Sequence, residues 1–469
     1  MSLSSQALQG HNTLRPLGLI ITIAFMSTVL GCATTDFNKA RSKHADEFPQ
    51  ELAQKSGELV KVDEPLDLDS CIKIALDNNL DIKVAEIKGN LAEIDRKIAF
   101  SYFLPYVDVQ VTRVNNDEQQ LMKFGGSSFA MADQDITQAV ISAQLAVFNP
   151  QTWFLYSAYK KGEDIQNLVT ERVRQAIRLQ VTALYMACLS QETSGKALGA
   201  SVEQAQTLVK QMEAFQREGL ILKSDLDTAN VYLISQQNNL QDNQRLQKST
   251  KAELMEAMGL SPLANITLKG VPSFDVADEE LAGQIYKALI NRPEMKISDR
   301  NVSAREDAVK IAIAGFFPVV GLFTEYTYNS NSYYYYENIW SYGVSGVLTV
   351  FDGFANIQEY KAAKQEREQA MIEREQQCLK IMLEVIKARD LLEKAQDMKA
   401  LLTKQADASR LSLKEVQAQW NEGLITASDR LKAVSNNATA EANLALADYQ
   451  YQVAAASIID AMGLSGKEQ

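Results

Sequence analysis

Histidine and cysteine, the side chains that most often do chemistry, are scarce in this sequence. The chain holds two His and four Cys among 469 residues. His11 lies in a segment that we expect to be removed, which leaves His44 alone in the mature chain. A Ser-His-Asp triad would have to use that residue, and a multi-histidine metal site cannot be built. We therefore expect no enzyme activity, no catalytic residue, no metal and no cofactor.

The charge balance excludes a second class of function. The net charge is −12, and residues 1–31 carry only Arg15. Without them the chain has 46 Lys+Arg against 59 Asp+Glu, a net charge of −13. Binding to phosphate backbones needs a basic face, so nucleic acid is not an expected partner. The GxxxxGK[ST] phosphate-binding motif is missing from the sequence, so any energy that the protein's function requires must come from a partner.

Cys32 is the one cysteine with a predicted chemical role. An apolar run at 17–30 follows Arg15 and ends in Val29-Leu30-Gly31-Cys32. It is too short to span a bilayer as a helix, so it predicts a signal peptide over residues 1–31. The ending resembles the bacterial lipobox, in which the Cys thiol is acylated, and Ala33 in place of Asp favours the outer membrane. The alternative is a plain secretory signal with an incidental Cys. The other three cysteines are expected to be isolated thiols.

The elements that carry these residues come in two copies. Residues 217–225 recur at 421–429, and residues 257–261 recur at 461–465, both at an offset of 204. Earlier in the unit Pro105 and Pro318 are 213 apart, whereas Phe148 and Phe351 are 203 apart, so the first copy has ten extra residues between Pro105 and Phe148. The pattern predicts a duplicated unit. The expected segments are a tether (32–69), a first repeat (70–265), a linker (266–279), a second repeat (280–465) and a tail (466–469).

Each copy reads as a helix, two strands and two long helices. Apolar spacing predicts helices over 70–101 and 280–314. Period-two alternation predicts strands at about 104–116, 137–148, 317–328 and 339–351. Proline-free runs at 151–217 and 355–420 predict rods of roughly 100 Å, each turning at a glycine and returning over about 39 residues. Rods of this length need partner rods, as in a coiled-coil hairpin.

Four strands per chain are too few for a closed barrel, which needs roughly eight or more. Because an open sheet edge is prohibitively costly in lipid, strands in a membrane would require several chains to share one barrel. The alternative is a small soluble sheet packed on the helices. For Tyr333–Tyr336, in the second hairpin loop, an interfacial aromatic girdle or loop-tip cluster is favoured over a ligand platform.

Four short motifs, in the same order as in a known family, carry a resemblance. They are Ala75–Asn79, Phe103–Pro105, Gln144–Asn149 and Gly219–Asp225. The chain from about Leu66 to Leu464 resembles the TolC-like outer-membrane efflux proteins. The resemblance implies a mainly α fold with a transmembrane β part, and a homotrimer with a 12-stranded barrel and an α-helical periplasmic tunnel. It also implies a lipid-anchored outer-membrane exit duct that works with a periplasmic adaptor and an inner-membrane transporter.

The two turns that join the long helices are the predicted docking sites. Gly219 and Gly423 suit the left-handed position that ends a helix, and Ser224 and Ser428 suit helix N-caps. These capping roles do not explain why two exposed turns carry the apolar pairs Leu220-Ile221 and Leu424-Ile425. In the resembling family such turns meet the adaptor, so we assign docking to Gly219–Ile221 and Gly423–Ile425.

Asp225, Asp227 and Asp429 are candidates for a tunnel gate. Threefold symmetry would repeat each carboxylate around a narrow end and make a constriction that attracts cations. Members of the resembling family often carry a second acid three residues after the first, whereas this chain has Lys432. The alternative is that these acids are solvated helix caps.

Other function classes remain open. Type I protein secretion uses the same kind of tunnel as small-molecule efflux. A non-conducting periplasmic coiled-coil scaffold lipoprotein would form no conducting trimer. An envelope hydrolase on helical rods would need a cleft that rods do not offer.

Overall fold

The computed structural model describes residues 36–60, 64–274, 276 and 279–464, with the backbone alone described at Ala427 and Ser428. The predicted signal peptide, Cys32 and the tail at 466–469 lie outside the described residues. The chain divides into an N-terminal unit that ends at Glu58 and a larger unit that begins at Leu59. In its described part the first unit is a helix, α1 (Phe37–Leu59), within the segment expected to be a tether.

The larger unit contains the same series of helices and long strands twice, as the internal repeat predicts, and the first copy has two additional short strands. The first copy consists of α2 (Leu68–Asn78), α3 (Leu80–Ser101), β1 (Tyr106–Asn115), β2 (Leu121–Phe124), β3 (Ser127–Ala130), β4 (Asp135–Phe148), α4 (Pro150–Arg217) and α5 (Lys223–Ala257). The second copy consists of α6 (Leu281–Asn291), α7 (Pro293–Ala314), β5 (Val319–Asn329), β6 (Asn338–Val347), α8 (Ala355–Asn421) and α9 (Ala427–Ala461).

The first helix of each copy is broken, contrary to the single helices expected over 70–101 and 280–314. In the first copy the break falls at Asn79, whose side-chain oxygen accepts hydrogen bonds from the backbone N–H of Asp81 at 2.8 Å and Ile82 at 3.2 Å. In the second copy Pro293 starts the new helix. An Asn side chain caps a helix start, and proline lacks the N–H that a continuing helix needs.

The four long strands form one antiparallel sheet in the order β1-β4-β5-β6. Its register confirms the predicted alternation. Val109 pairs with Ile141 and Ile141 with Tyr326, which places apolar side chains on one face. Asp108 and Ser142 pair on the other face, where the Ser142 hydroxyl donates a 2.5 Å hydrogen bond to the Asp108 carboxylate. The outer edges of β1 and β6 have no partner strand among the described residues.

The long helices confirm the predicted rods. α4 has 68 residues and α8 has 67, so each is about 100 Å long at ~1.5 Å per residue. The returning helices α5 and α9 have 35 residues each and stop partway. We call the level where they stop the equator; there Gly259 faces Asn78 and Gly463 faces Arg292. No helix among the described residues is long and apolar enough to cross a membrane.

The helices of the larger unit form a wall of constant width. Between the sheet and the equator, the described helices pack in the order α3-α4-α7-α8. Beyond the equator the order is α5-α4-α9-α8. Four helices of each chain therefore form the wall at both levels, because the returning helices begin to contribute where α3 and α7 end.

The two repeats are joined at the equator by a charged network. Arg172 on α4 contacts Glu294 at 2.6 Å and Asp460 at 3.3 Å. Arg292, with a nearly buried side chain, contacts the same Glu294 at 2.6 Å and Glu384 at 2.5 Å. Although burial opposes it, hydrogen bonding to Arg292 holds the pKa of Glu294 below its usual value. These five residues come from α4, α7, α8, α9 and the residue before α7, so they fix both repeats against each other.

The three cysteines that the structure describes are free, as predicted. Cys71 and Cys188 are buried in the core at the equator, and Cys378 is half-buried. Burial raises the pKa of the Cys71 and Cys188 thiols to about 12, so both remain protonated and poorly reactive at neutral pH.

Candidate functional site at the helical tips

The two tip turns, residues 218–222 and 422–426, end the long helices with the same backbone geometry. Gly219 and Gly423 both have a φ of +73°, the left-handed conformation predicted for them. The N–H of Gly219 donates to Gln216 O at 3.1 Å, and the N–H of Leu220 donates to Phe215 O at 2.9 Å. The second turn repeats both bonds at 3.0 and 2.9 Å. This pair of bonds is the Schellman motif, which satisfies the last carbonyls of a helix.

The predicted N-caps Ser224 and Ser428 are wrong. Both residues lie inside the first turn of a returning helix, because α5 begins at Lys223 and α9 at Ala427. The N-cap positions are taken by Leu222 and Thr426. The helices start earlier because the aspartate at the third helical position accepts a hydrogen bond from the backbone N–H of the N-cap residue.

That aspartate is Asp225 in the first turn and Asp429 in the second. The Asp225 carboxylate accepts a 3.1 Å hydrogen bond from the N–H of Leu222. The Asp429 carboxylate accepts from the N–H of Thr426 at 3.2 Å, and the Thr426 hydroxyl accepts from the N–H of Asp429 at 3.2 Å. The second turn is thus a complete capping box, and the first has only the aspartate half, since Leu222 offers no oxygen.

The leucine after each tip glycine is exposed. Leu220 is 65% exposed and Leu424 is 69% exposed. The same Gly-Leu turn ends the returning helices at the equator, with a φ of +68° at Gly259. There Leu260 is 1% exposed. Leu464, in the matching turn after α9, is half-buried. The motif thus covers its leucine fully or partly at the equator and exposes it at the tip, so turn formation alone does not account for the exposed leucines.

The other residues of the predicted docking set contribute less surface. Ile221 is half-buried and packs on a small core under the first tip. Ile425 is also half-buried, whereas Leu222 at the N-cap is 70% exposed. Each tip therefore presents mainly leucine, with Leu222 adding to the first.

Contacts between the two long hairpins join the tips into one surface. The rings of Phe215 and Trp420 lie 5.9 Å apart. The Arg430 guanidinium lies 5.3 Å from the centre of the Trp420 ring and donates a 2.6 Å hydrogen bond to the side-chain oxygen of Gln211. Sequence reasoning missed these residues. The position of Trp420 three residues before Gly423, in a chain with three Trp, is the signal that could have found it.

The three candidate gate acids occupy different environments. Asp225 is half-buried, and Asp227 and Asp429 are exposed. Hydrogen bonds from the side chain and backbone of Thr426, and the charge of Lys432, hold the pKa of Asp429 below its usual value. The repeat equivalent of Asp227, at an offset of 204, is Leu431, which is 9% exposed in the core under the tips. Asp225 and Asp429 thus form an equivalent pair, and Asp227 belongs to the first tip alone.

Within the described residues, no group of His, Cys, Asp and Glu has the arrangement of a metal site. The chemistry that the tips can do is contact through apolar side chains, and electrostatic attraction or repulsion through the aspartates.

Comparison with known proteins assigns the chain to a family. The family model of the outer membrane efflux protein matches residues 71–260, in the first repeat, and residues 284–464, in the second repeat. The chain belongs to the outer membrane efflux protein family. Among curated proteins, none matches the sequence significantly.

Solved structures share the fold of this efflux protein. The CmeC outer membrane channel of Campylobacter jejuni aligns with a TM-score of 0.74 at 16% identity, covering 85% of this chain and 86% of CmeC. The outer membrane protein VceC of Vibrio cholerae aligns with a TM-score of 0.71 at 15% identity, covering 84% and 96%. The MtrE outer membrane channel of Neisseria gonorrhoeae, solved in an open state, aligns with a TM-score of 0.70 at 16% identity, covering 85% and 89%.

These findings confirm the predicted fold class and the suspected family. The efflux protein is an outer-membrane channel whose helical part extends into the periplasm, and its family and fold are those of channel proteins rather than enzymes.

Proposed function

We propose that this efflux protein, as a homotrimer, is the passive exit duct of a tripartite efflux system and has no catalytic activity. An inner-membrane transporter supplies energy and substrate, and a periplasmic adaptor docks on the tip turns. The exposure of Leu220 and Leu424, in a turn motif that buries its leucine elsewhere in the same chain, is the observation that carries the docking part.

The trimer is supported by an uncovered apolar stripe on α3. Six of its side chains follow one another at alternating spacings of four and three residues, the spacing of a coiled-coil seam. All six are 49–58% exposed in the single chain: Leu80, Val84, Ile87, Leu91, Ile94 and Ile98. A stripe of this length needs a partner helix.

The opposite edge of the chain offers that partner. α8 is the other outer helix of the wall, and it exposes Ile372, Leu379 and Leu383. The free edges of the sheet lie on the same two sides of the chain as these helices, because α3 leads into edge strand β1 and edge strand β6 leads into α8. Head-to-tail contacts of this kind close into a ring when the rotation permits. Three copies give twelve strands and twelve helices at each level of the wall.

Docking and gating are assigned to the tips as the sequence predicts. Gly219–Ile221 and Gly423–Ile425, with Leu222, form the surface that receives the adaptor. Asp225, Asp227 and Asp429, each repeated three times, surround the end of the duct and favour cations. Cys32 carries a lipid anchor in the outer membrane, and the apolar face of the sheet meets lipid.

Crosslinking from cysteines placed at the tips tests the docking. We expect Leu220→Cys and Leu424→Cys, treated in intact cells with a short thiol-to-amine crosslinker, to capture a periplasmic adaptor of the same efflux system, identified by mass spectrometry. The matched control is Leu263→Cys, at a leucine that is 93% exposed in the loop that follows α5. Recovery of no adaptor, or of the same proteins from the control, would overturn the docking proposal.

A further inference from the structure

The loop between β1 and β4 contains a hairpin that the efflux fold does not need for its wall. Strands β2 and β3 pair from Leu121 with Ala130 to Phe124 with Ser127. The two-residue turn between them is Gly125-Gly126, with φ values of +57° and +89°. Two successive positive φ values match the primed turns that favour tight hairpins, so the segment is a regular hairpin rather than an irregular loop.

This hairpin has one apolar face that the chain leaves uncovered. Met122 lies opposite Phe129, and Phe124 follows Met122 on the same face. Their exposures are 51% for Met122, 57% for Phe129 and 78% for Phe124. The opposite face has Lys123 paired with Ser128 and, at the base of the hairpin, Leu121 paired with Ala130. A hairpin with two phenylalanines and a methionine on one face is stable against water only if something covers that face.

The loop between β5 and β6 holds the hairpin base in place. The Asp133 carboxylate accepts hydrogen bonds from the N–H of Ser332 at 2.6 Å and from its hydroxyl at 3.1 Å. The side-chain oxygen of Asn331 accepts from the N–H of Asp133 at 3.1 Å, and the Gln119 amide donates to the Tyr333 hydroxyl at 3.2 Å. The two loops of one chain therefore form one ordered surface at the end of the sheet away from the helices.

The same surface carries a second apolar group in the tyrosines. Tyr335 is 91% exposed and Tyr336 is 67% exposed, and their rings pack edge to face with centroids 4.7 Å apart. They precede Asn338, the first residue of edge strand β6. The hairpin, in turn, follows Asn115, the last residue of edge strand β1.

The strand directions decide what lies next to the hairpin. β1 runs away from the helices and β6 runs back toward them, so the outer end of β1 and the outer end of β6 lie at the same rim. When β1 of one copy pairs with β6 of the next, the hairpin that follows β1 adjoins the tyrosines that precede the neighbour's β6. Phenylalanine and methionine offer no hydrogen bonds to a hydrated ligand, which favours an apolar protein surface as the occupant.

We propose that the face formed by Met122, Phe124 and Phe129 packs against Tyr334–Tyr336 of a second copy of this chain. Repeated around the rim, and continued within each chain by the contacts of Asp133 with Ser332, these contacts form an unbroken ring of loops around the outer mouth. The inference rests on the proposed homotrimer, and it assigns the ten extra residues of the first repeat a role in holding the mouth together.

Co-expression of two tagged chains tests the contact between copies. One full-length chain carries Phe124→Cys and the other Tyr335→Cys, both with Cys378→Ser. After oxidation of intact cells, we expect a disulfide-linked species that contains both tags and is lost on reduction. The control pair places the first cysteine at Lys123, on the opposite face of the hairpin, and we expect at least several-fold less of the mixed species.

A second measurement separates this contact from the trimer itself. Light scattering of the detergent-purified chain reports its oligomeric state. A trimer without the mixed disulfide, or with equal amounts from Phe124 and Lys123, would overturn the loop contact and leave the proposed function standing. Absence of a trimer would overturn both. We also expect the double variant Phe124→Ser with Phe129→Ser to lower the temperature at which the trimer dissociates, and Lys123→Ser to leave it unchanged. Equal temperatures for the unsubstituted chain and both variants would contradict the proposal.

Discussion

Asp429 at the second tip has a hydrogen-bonding role and an electrostatic role that one substitution can separate. Its carboxylate closes the capping box with Thr426 and also places a negative charge where the helical wall ends. Asparagine keeps an oxygen for the Thr426 N–H and removes the charge. A change of charge without a change of fold is thus available at this position.

We expect Asp429→Asn to reduce the cation preference of single channels and to leave the chain folded, because the asparagine oxygen can still accept the Thr426 hydrogen bond. The measurement is the reversal potential under a potassium chloride gradient, which should shift toward the anion value because the proposed ring loses its charge. Asp242→Asn, at an exposed acid on α5 away from the turn, is the control and should not shift it. An unchanged reversal potential in Asp429→Asn would remove this residue from the gate.

The same residue predicts a pH dependence. Because hydrogen bonding to Thr426 holds the pKa of Asp429 below its ordinary 3.8, the carboxylate is more than half charged in the folded chain at pH 3.8 and fully charged at neutral pH. Its contribution to capping and to cation preference is present above that pH and is lost as pH falls through the lowered value. The difference in reversal potential between the unsubstituted chain and Asp429→Asn should therefore stay constant from pH 7 down to about 5 and shrink only at lower pH; a decline that begins near pH 6 would contradict the assignment.

Among the elements, the turns contain glycines with identical conformation and different surroundings. A Cβ at Gly219 would meet nothing within 4 Å. A Cβ at Gly259 would lie 2.6 Å from the carbonyl carbon of Asn78 and 3.0 Å from the nitrogen of Asn79. Only the second glycine is required both by its φ and by the space it leaves for α2 and α3.

We expect Gly219→Ala to cost about 1–2 kcal/mol, the strain of a left-handed alanine. Gly259→Ala should cost more, because backbone atoms of the break between α2 and α3 must also move. Thermal unfolding followed by circular dichroism should give a clearly lower melting temperature for Gly259→Ala than for Gly219→Ala. Equal values would show that the close approach at Asn78 is unimportant.

The apolar stripe on α3 gives a prediction about assembly. Ile87→Glu with Leu91→Glu should abolish the trimer, since two charges would enter the seam proposed between α3 and α8 of the next copy. Lys88→Glu with Asn90→Glu introduces the same residues at exposed polar positions of the same helix and should leave the trimer intact. Light scattering in detergent distinguishes the outcomes, and trimers from both variants would exclude the stripe from the interface.

The elements also show where sequence patterns succeed. Alternation predicted the long strands, and the lack of proline predicted the rods, because both patterns are local and repeated many times. The break at Asn79 was missed because its side chain caps the next helix and donates a 2.9 Å hydrogen bond to the distant carbonyl of Ala257. The hairpin β2–β3 was missed because its pairs are few, although the Gly125-Gly126 turn signalled it.

At the scale of the whole molecule, the equatorial network joins the two repeats through partly buried charges. Arg172 forms ion pairs with two carboxylates, those of Glu294 and Asp460, whose side chains are 20% and 8% exposed. Arg174, two residues along the same helix, contacts Glu86 at 2.6 Å, and both of their side chains are about half exposed. Neighbouring arginines on one helix thus form one inter-repeat contact and one surface contact.

We expect Arg172→Met to destabilise the chain by on the order of 3 kcal/mol, because it leaves partly buried carboxylates short of a partner. Arg174→Met should cost less than about 1 kcal/mol, the usual value of a surface ion pair. The difference in stability between the two variants should shrink as pH falls below 4.5. Because the pKa of Glu294 in the folded chain is lower than 4.5, its ion pairs contribute fully above pH 4.5, and this contribution is lost as pH falls through the lowered pKa. Melting temperatures at pH 7 and pH 4 test both statements.

The duplication was readable over the whole chain because equal offsets survive substitution, and the sequence therefore indicated two repeats and an incomplete sheet. The contacts between repeats were not readable. Arg172 and Asp460 are far apart in sequence, and no periodic pattern marks the pairing of two single charges. The tip surface was predictable in part. Its glycines and leucines could be found from the repeat, but the contact of Trp420 with Arg430 follows only from the packing of the two hairpins against each other.

The constant number of helices in the wall sets the width of what can pass. In the proposed trimer, twelve helices spaced about 9 Å apart would make a ring with a diameter of roughly 35 Å between helix axes. Subtracting one helix diameter of about 10 Å leaves a bore of roughly 25 Å, the same on both sides of the equator. A folded domain of about 100 residues, with a radius of gyration near 13 Å and hence a diameter above ~30 Å, exceeds that bore. The proposed trimer would therefore pass hydrated small molecules and exclude folded domains of about 100 residues or more.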